Sequence, residues 1–128
     1  MPNFLTPLLR EPDARYTLRN TRTQASVAST LLTAFDSKSR NRGLLGRNGL
    51  PSGTALLLAP TNAVHTCFMK FPIDIVFLSK DGTVTKVRAA VGPWRFAASW
   101  SAFATLELEA GACEGGRLVA GDRLLLDR

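Results

Sequence analysis

The sequence holds one histidine, His65, and two cysteines, Cys67 and Cys113, among 128 residues. Two thiols make no disulfide framework, and no Cys-x-x-Cys or zinc-ligand spacing is present, so no metal site and no cofactor is expected. Free, reduced thiols suit a reducing compartment. No apolar run reaches the roughly 18 residues needed to cross a bilayer, so no membrane span is expected. The N-terminal stretch lacks a charged start followed by an apolar segment, because Pro7, Arg10 and Glu11 interrupt it. It does not read as a signal peptide, and the expected location is the cytoplasm. No Gly-x-Ser-x-Gly nucleophile elbow occurs. No nucleic-acid motif or basic-aromatic interleaving occurs either, so nucleic acid is not an expected partner. Repeats, low-complexity tracts and linkers are also missing.

What is present suits a single packed domain. The length fits one domain, and a hydrophobic content of 45% is normal for a globular core. Net charge is +6, and twelve of the sixteen cations are arginine. The charge is uneven: residues 1–47 hold eight Lys or Arg against three acids, residues 97–128 three against five. The basic N-terminal part could meet nucleic acid, anionic lipid or an acidic partner, or be a solvated, arginine-rich surface, and no nucleic-acid motif accompanies it.

Along the chain, residues 1–14 read as a flexible arm and residues 15–128 as one β-rich domain. Tyr16–Asn20 is a candidate first strand. Val27, Leu31 and Phe35 recur at a spacing of four, which predicts a helix capped by Ser26 or Ser29. Asp36 and Ser37 offer a second capping point, with Gly43 and Gly46 ending that segment. Residues 54–59 form an apolar run of strand length. Residues 73–79 are the clearest strand, turned at Asp81-Gly82 into a return strand over residues 83–91, with Ile73, Ile75 and Phe77 on one face. Residues 104–108 and 123–126 complete the strands, and residues 111–116 allow at most a short helical turn. Many short strands with one or two helices predict a mainly β, α+β domain, a compact sandwich or barrel-like fold.

The chemistry concentrates in residues 64–78, which hold His65, Thr66, Cys67, Lys70 and Asp74 in strand-like sequence. A carboxylate at Asp74, inside an apolar run, costs several kcal/mol unless paired, so it needs donors or a solvated cleft. Arg42 and Arg47 bracket a glycine-bounded turn. They could fork onto a carboxylate or phosphate, or bond the last carbonyls of a helix. Asp74 is expected to be held by one of them, Arg42 before Arg47. His65 and Cys67, two apart, could share a strand face. Glu107 and Glu109 alternate on one strand, and Asp122 suits a turn; a pair among these carboxylates and Asp74 could do acid–base work if close together. Trp94 beside Arg95 is either an exposed rim or a core residue.

The stretch His65-Thr66-Cys67-Phe68-Met69-Lys70-Phe71-Pro72-Ile73-Asp74-Ile75-Val76-Phe77-Leu78 resembles the signature of domain-of-unknown-function family 192. Arg42–Arg47, Lys80-Asp81-Gly82, residues 106–111 and Gly121–Leu124 match in the same order, from about Ser26 to Leu126. The resemblance implies a β-sandwich or barrel with a helix packed on it and arginines at positions 42 and 47. Cys67 stands where the family pattern has an aromatic residue. The resemblance implies no activity, and similar family members often carry export or anchor segments.

Together these features predict a small binding module. Its polar cleft, lined by Arg42, Arg47, His65, Thr66, Lys70 and Asp74, would take a small anionic ligand. The alternatives are an enzyme of unknown class using His65 and Asp74, or an accessory domain that docks a protein partner.

Overall fold

The computed structural model describes residues 3–128. Among these are ten strands and two short α-helices, and five of the strands form a central mixed sheet. Its strands are β3 (Thr30–Ala34), β4 (Thr54–Leu58), β9 (Ala104–Glu109), β6 (Ile73–Leu78) and β7 (Val84–Val91), in that spatial order. Only the β3–β4 pair is parallel. Every residue of β4 and β6 is buried, because both faces of this sheet are covered.

One face packs against a three-stranded sheet, β10 (Leu124–Asp127), β1 (Thr17–Asn20) and β2 (Ser26–Ala28), and against helix α1 (Thr6–Arg10). Leu57, Val76, Leu78, Leu106 and Leu108 meet Leu5, Leu8, Leu18 and Leu124 there. The other face carries Leu56, Leu58, Ile73, Ile75 and Phe77 beneath a two-stranded ribbon, β5 (Ala63–His65) and β8 (Phe96–Ala98). Leu44 and Leu50, in the segment after helix α2 (Ser37–Arg42), close that second core. The sheets do not close into a barrel.

The expected hairpin is observed, with Ile73, Ile75 and Phe77 on one face. At its turn Asp81 accepts hydrogen bonds from Ser79 Oγ (2.5 Å) and the Thr83 N–H (3.0 Å). Gly82 has φ +88, and a Cβ there would lie 2.4 Å from the Leu124 carbonyl oxygen. The second capping point also holds: Asp36 accepts from the Ser39 N–H at 2.7 Å, and Gly43 (φ +48) ends α2.

The helix expected through Val27, Leu31 and Phe35 is corrected to strands β2 and β3. A spacing of four is also even, so it marks one face of a strand as well as one face of a helix. All three side chains do pack on one core, but the backbone of β3 pairs with β4 from Thr30↔Thr54 to Ala34↔Leu58. Of the expected flexible arm, residues 1 and 2 lie outside the described residues. The remainder holds α1, with Phe4, Leu5 and Leu8 buried in the first core.

Candidate functional site

The end of α2 and the chain leading into β5 enclose a cleft of about 340 Å³ over the second core. Arg40, Arg42, Asn62, His65, Met69 and Glu107 are among its lining. Local sequence explains the walls. Asp36 starts a helix of under two turns, so Arg40 and Arg42 both fall in its last turn. Gly43 then reverses the chain, and Leu44 anchors the reversal in the core. The Arg40 guanidinium donates to the carbonyls of Phe35 (2.8 Å) and Ala59 (3.3 Å), which fixes it at the cleft wall.

Glu107 comes from the middle of β9, paired between Leu56 and Ile75, and is only 4% exposed. Its carboxyl takes part in no hydrogen bond to protein among the described residues, and since no fully buried side-chain oxygen there lacks a partner, its oxygens open on the cleft. Burial alone pushes that carboxyl up to about 7. A lone buried acid poised near neutrality can donate or accept a proton, or bind a polar ligand atom.

The expected site residues separate. Arg42 and His65 line this cleft, whereas Arg47 and Lys70 are exposed outside its lining. His65 Nδ1 accepts the Cys67 backbone N–H at 3.2 Å, so the neutral ring carries its proton on Nε2. That bond, and the end of β5 at His65, replace the strand-face pairing of the two side chains.

Thr66 is 1% exposed and acts as a clamp between two loops. Its hydroxyl donates to the Gly92 carbonyl (2.7 Å) and accepts from the Arg95 N–H (2.9 Å). Its backbone N–H donates to the Arg95 carbonyl (2.9 Å), and its carbonyl accepts the Trp94 N–H (3.1 Å). The clamp presents Phe68 and Trp94 side by side, with ring centroids 4.6 Å apart. Both residues have φ +66, a conformation that costs of order 1–3 kcal/mol for a residue with a side chain. Trp94 is exposed, so of the two sequence alternatives it is the rim and not the core.

The expected Asp74–arginine pair does not form. Asp74 is 0% exposed and faces the first core, away from the cleft. Its oxygens accept the backbone N–H groups of Ala90 (2.8 Å) and Cys113 (2.9 Å). Two main-chain donors satisfy it, so it neither needs a guanidinium nor shares a cleft with His65. Burial, reinforced by Asp74, pushes the Cys113 thiol up to about 12. Both cysteines are unpaired. Asp122 sits in a turn as expected, held by Arg22 Nε (2.6 Å), Asn20 Nδ2 (2.8 Å) and the Val119 N–H (3.0 Å). Arg22, first among these, holds its carboxyl down at about 2.

Two residues of the cleft escaped the sequence-based expectation. Arg40 gave no signal beyond its place in a basic segment. Glu107 was masked: Leu106-Glu107-Leu108-Glu109 alternates like a strand with one face in water, and only the pairing with Leu56 and Ile75 turns that face into the second core. Among the described residues no three His, Cys, Asp or Glu side chains gather into a metal-ligand set. No helix there is long and apolar enough to cross a membrane.

A family model described as "Uncharacterized ACR", domain-of-unknown-function family 192, matches residues 18–126. A search of curated proteins finds no match. Among solved structures, a Sinorhizobium meliloti 1021 protein provisionally named a transcription regulator is similar, with a TM-score of 0.77 and 22% identity over 88% of this chain and 94% of that one. A protein of unknown function from Novosphingobium aromaticivorans DSM 12444 has a TM-score of 0.74 and 19% identity over 87% of this chain and 83% of that one. These likenesses establish a shared fold.

Proposed function

The chain belongs to domain-of-unknown-function family 192, whose activity is uncharacterised, and from its own geometry we propose a binding module for a small anionic ligand. The observation that carries this is the unpartnered Glu107 carboxyl in a cleft also lined by Arg40 and Arg42. Glu107 is buried except toward the cleft, where its carboxyl oxygens are open and meet no protein donor among the described residues. A ligand with a carboxylate or phosphate at one end would meet the guanidiniums. A hydrogen-bonding group at its other end would meet Glu107, which donates when protonated and accepts when ionised. The free thiols fit a cytoplasmic location within this proposal.

The test is a thermal-shift and calorimetry panel of small carboxylates, amino acids and phosphate esters. A ligand at a hundredfold excess over its Kd should stabilise the fold by about 2.7 kcal/mol. Arg42→Met should weaken binding at least tenfold, and Glu107→Gln should remove its pH dependence between about 6 and 8. A hit indifferent to both substitutions, or no hit at all, would sink the proposal.

One observation favours a second reading. Glu107, held near 7 and open on a cleft with His65 at its outer rim, is suited to act as a general acid or base. Turnover of any panel ester or amide that Glu107→Gln abolishes, with binding retained, would select the enzyme over the module.

A further inference from the structure

We infer that the outer face of the β5–β8 ribbon, with the two loops that Thr66 ties together, docks on an anionic lipid bilayer. Three aromatic side chains project there instead of packing inward: Phe68 is 70% exposed, Phe96 69% and Trp94 59%, and Trp100, in the turn that follows β8, is 93% exposed. Val64 and Ala97 turn into the core, so their neighbours His65 and Phe96, paired across the ribbon, must turn outward. Phe68 and Trp94 are displayed on the clamped loops in strained backbone conformations. Aromatic rings held in water by a built scaffold call for an apolar phase to receive them.

The surrounding charge identifies that phase. Lys70 lies two residues from Phe68, Arg95 lies between Trp94 and Phe96, and both cations are exposed. No carboxylate occurs in residues 37–73 or in residues 82–106, the segments that build this face. Aromatic side chains that enter a membrane interface, ringed by cations that reach lipid phosphates, are how peripheral proteins hold anionic bilayers. A rigid protein partner would need a socket for each protruding ring, whereas a fluid interface receives them without one. Base stacking needs open ring faces, and Phe68 and Trp94 are tilted against each other at 59°.

The experiment uses the full chain with vesicles of phosphatidylcholine, alone or with about a third phosphatidylglycerol. Of the two tryptophans of the sequence, Trp94 lies on the face and Trp100 in the exposed turn after β8, so a blue shift of their emission reports burial of the face through Trp94. The protein should sediment with the anionic vesicles, its emission shifting to the blue, and should bind neutral vesicles far more weakly. Lys70→Gln with Arg95→Gln should weaken partitioning roughly 25-fold, about fivefold for each charge lost near the surface. Phe68→Asn with Phe96→Ser keeps both tryptophans and should abolish the blue shift. Asn accepts the left-handed backbone at position 68, and circular dichroism verifies folding. Failure to bind anionic vesicles at low salt would overturn the inference, as would binding unchanged by the aromatic pair. Tighter binding to a single-stranded oligonucleotide, or self-association that buries the tryptophans without lipid, would assign the face to another occupant and overturn it too.

Discussion

Asp74 and Glu107 are two buried carboxylates on adjacent, paired strands, and they face opposite sides of one sheet. They are almost equally hidden, 0% and 4% exposed. Asp74 is fully engaged. One oxygen holds Ala90, which sits at φ +49 on the irregular end of β7, and the other holds the loop at Cys113. Glu107 accepts from no protein donor among the described residues and opens on a cleft. Depth of burial therefore does not separate a structural acid from an available one; the supply of donors does.

The largest expected effect tests the engaged side. Each hydrogen bond to a charged group contributes about 1.5–3 kcal/mol, so Asp74→Ala should cost roughly 3–6 kcal/mol. Domains of this size have only about 5–15 kcal/mol in total, so the variant should unfold at low urea or fold poorly. Urea titration followed by circular dichroism measures the loss, and reaction of the Cys113 thiol should accelerate as its loop is released. A loss below about 1 kcal/mol would show that the two amides are satisfied without the carboxylate, and the contrast would collapse.

The opposite sign is expected on the other side of the sheet. The Glu107 carboxyl is raised from 4.5 to about 7 by burial, so the unfolded chain releases this proton before the folded chain does. Its contribution is full at acid pH and is lost as pH rises from about 4.5 through 7, in total about 3 kcal/mol. Glu107→Gln should thus stabilise the protein by about that amount at pH 8, and change it little at pH 4. Asp81 and Asp122, both held at about 2, act in the reverse direction: their stabilisation is present above about 4 and fades as pH falls toward 2. Urea midpoints at a series of pH values separate the two limbs. A Glu107→Gln variant that retains the wild-type slope between pH 5 and 7 would assign the titration elsewhere.

The central strands could be read in the sequence because burial on both faces leaves uninterrupted apolar runs, as in residues 54–58 and 73–78. The hairpin was legible because Asp81 and Gly82 are chemically suited to the turn they make. The stretch around Leu31 was ambiguous in principle, since a spacing of four satisfies both periods and only the partner strand β4 decides. The donors to Asp74 were invisible for another reason. They are main-chain N–H groups, which every residue but proline carries, so no side chain announces them. The cleft was half legible: Arg42 and His65 were found through their side-chain chemistry. Glu107 was hidden by its alternation with Leu106, Leu108 and Glu109, which reads as a water-facing strand side, and its isolation emerges only once the sheet has closed over it.

The smallest expected effect is a coupling that should be near zero. Arg42 lies at the end of α2, on the cleft side, with Leu58, Val64 and Met69 of the second core lining the same space. Asp74 points into the first core, so the sheet itself stands between them. Arg42→Met removes an exposed guanidinium and should change stability by less than about 0.5 kcal/mol. Asp74→Asn keeps the shape but turns a carboxylate that accepts twice into an amide with only one accepting oxygen, so one of the Ala90 and Cys113 N–H groups loses its partner. In a double-mutant cycle the two changes should add to within about 0.5 kcal/mol, because sites with no shared partner do not couple. A coupling of 1 kcal/mol or more would bring a guanidinium to Asp74 in solution. Asp74 would then be an ion-paired acid rather than one held by backbone alone, and its contrast with Glu107 would rest on a cation that one carboxylate has and the other lacks.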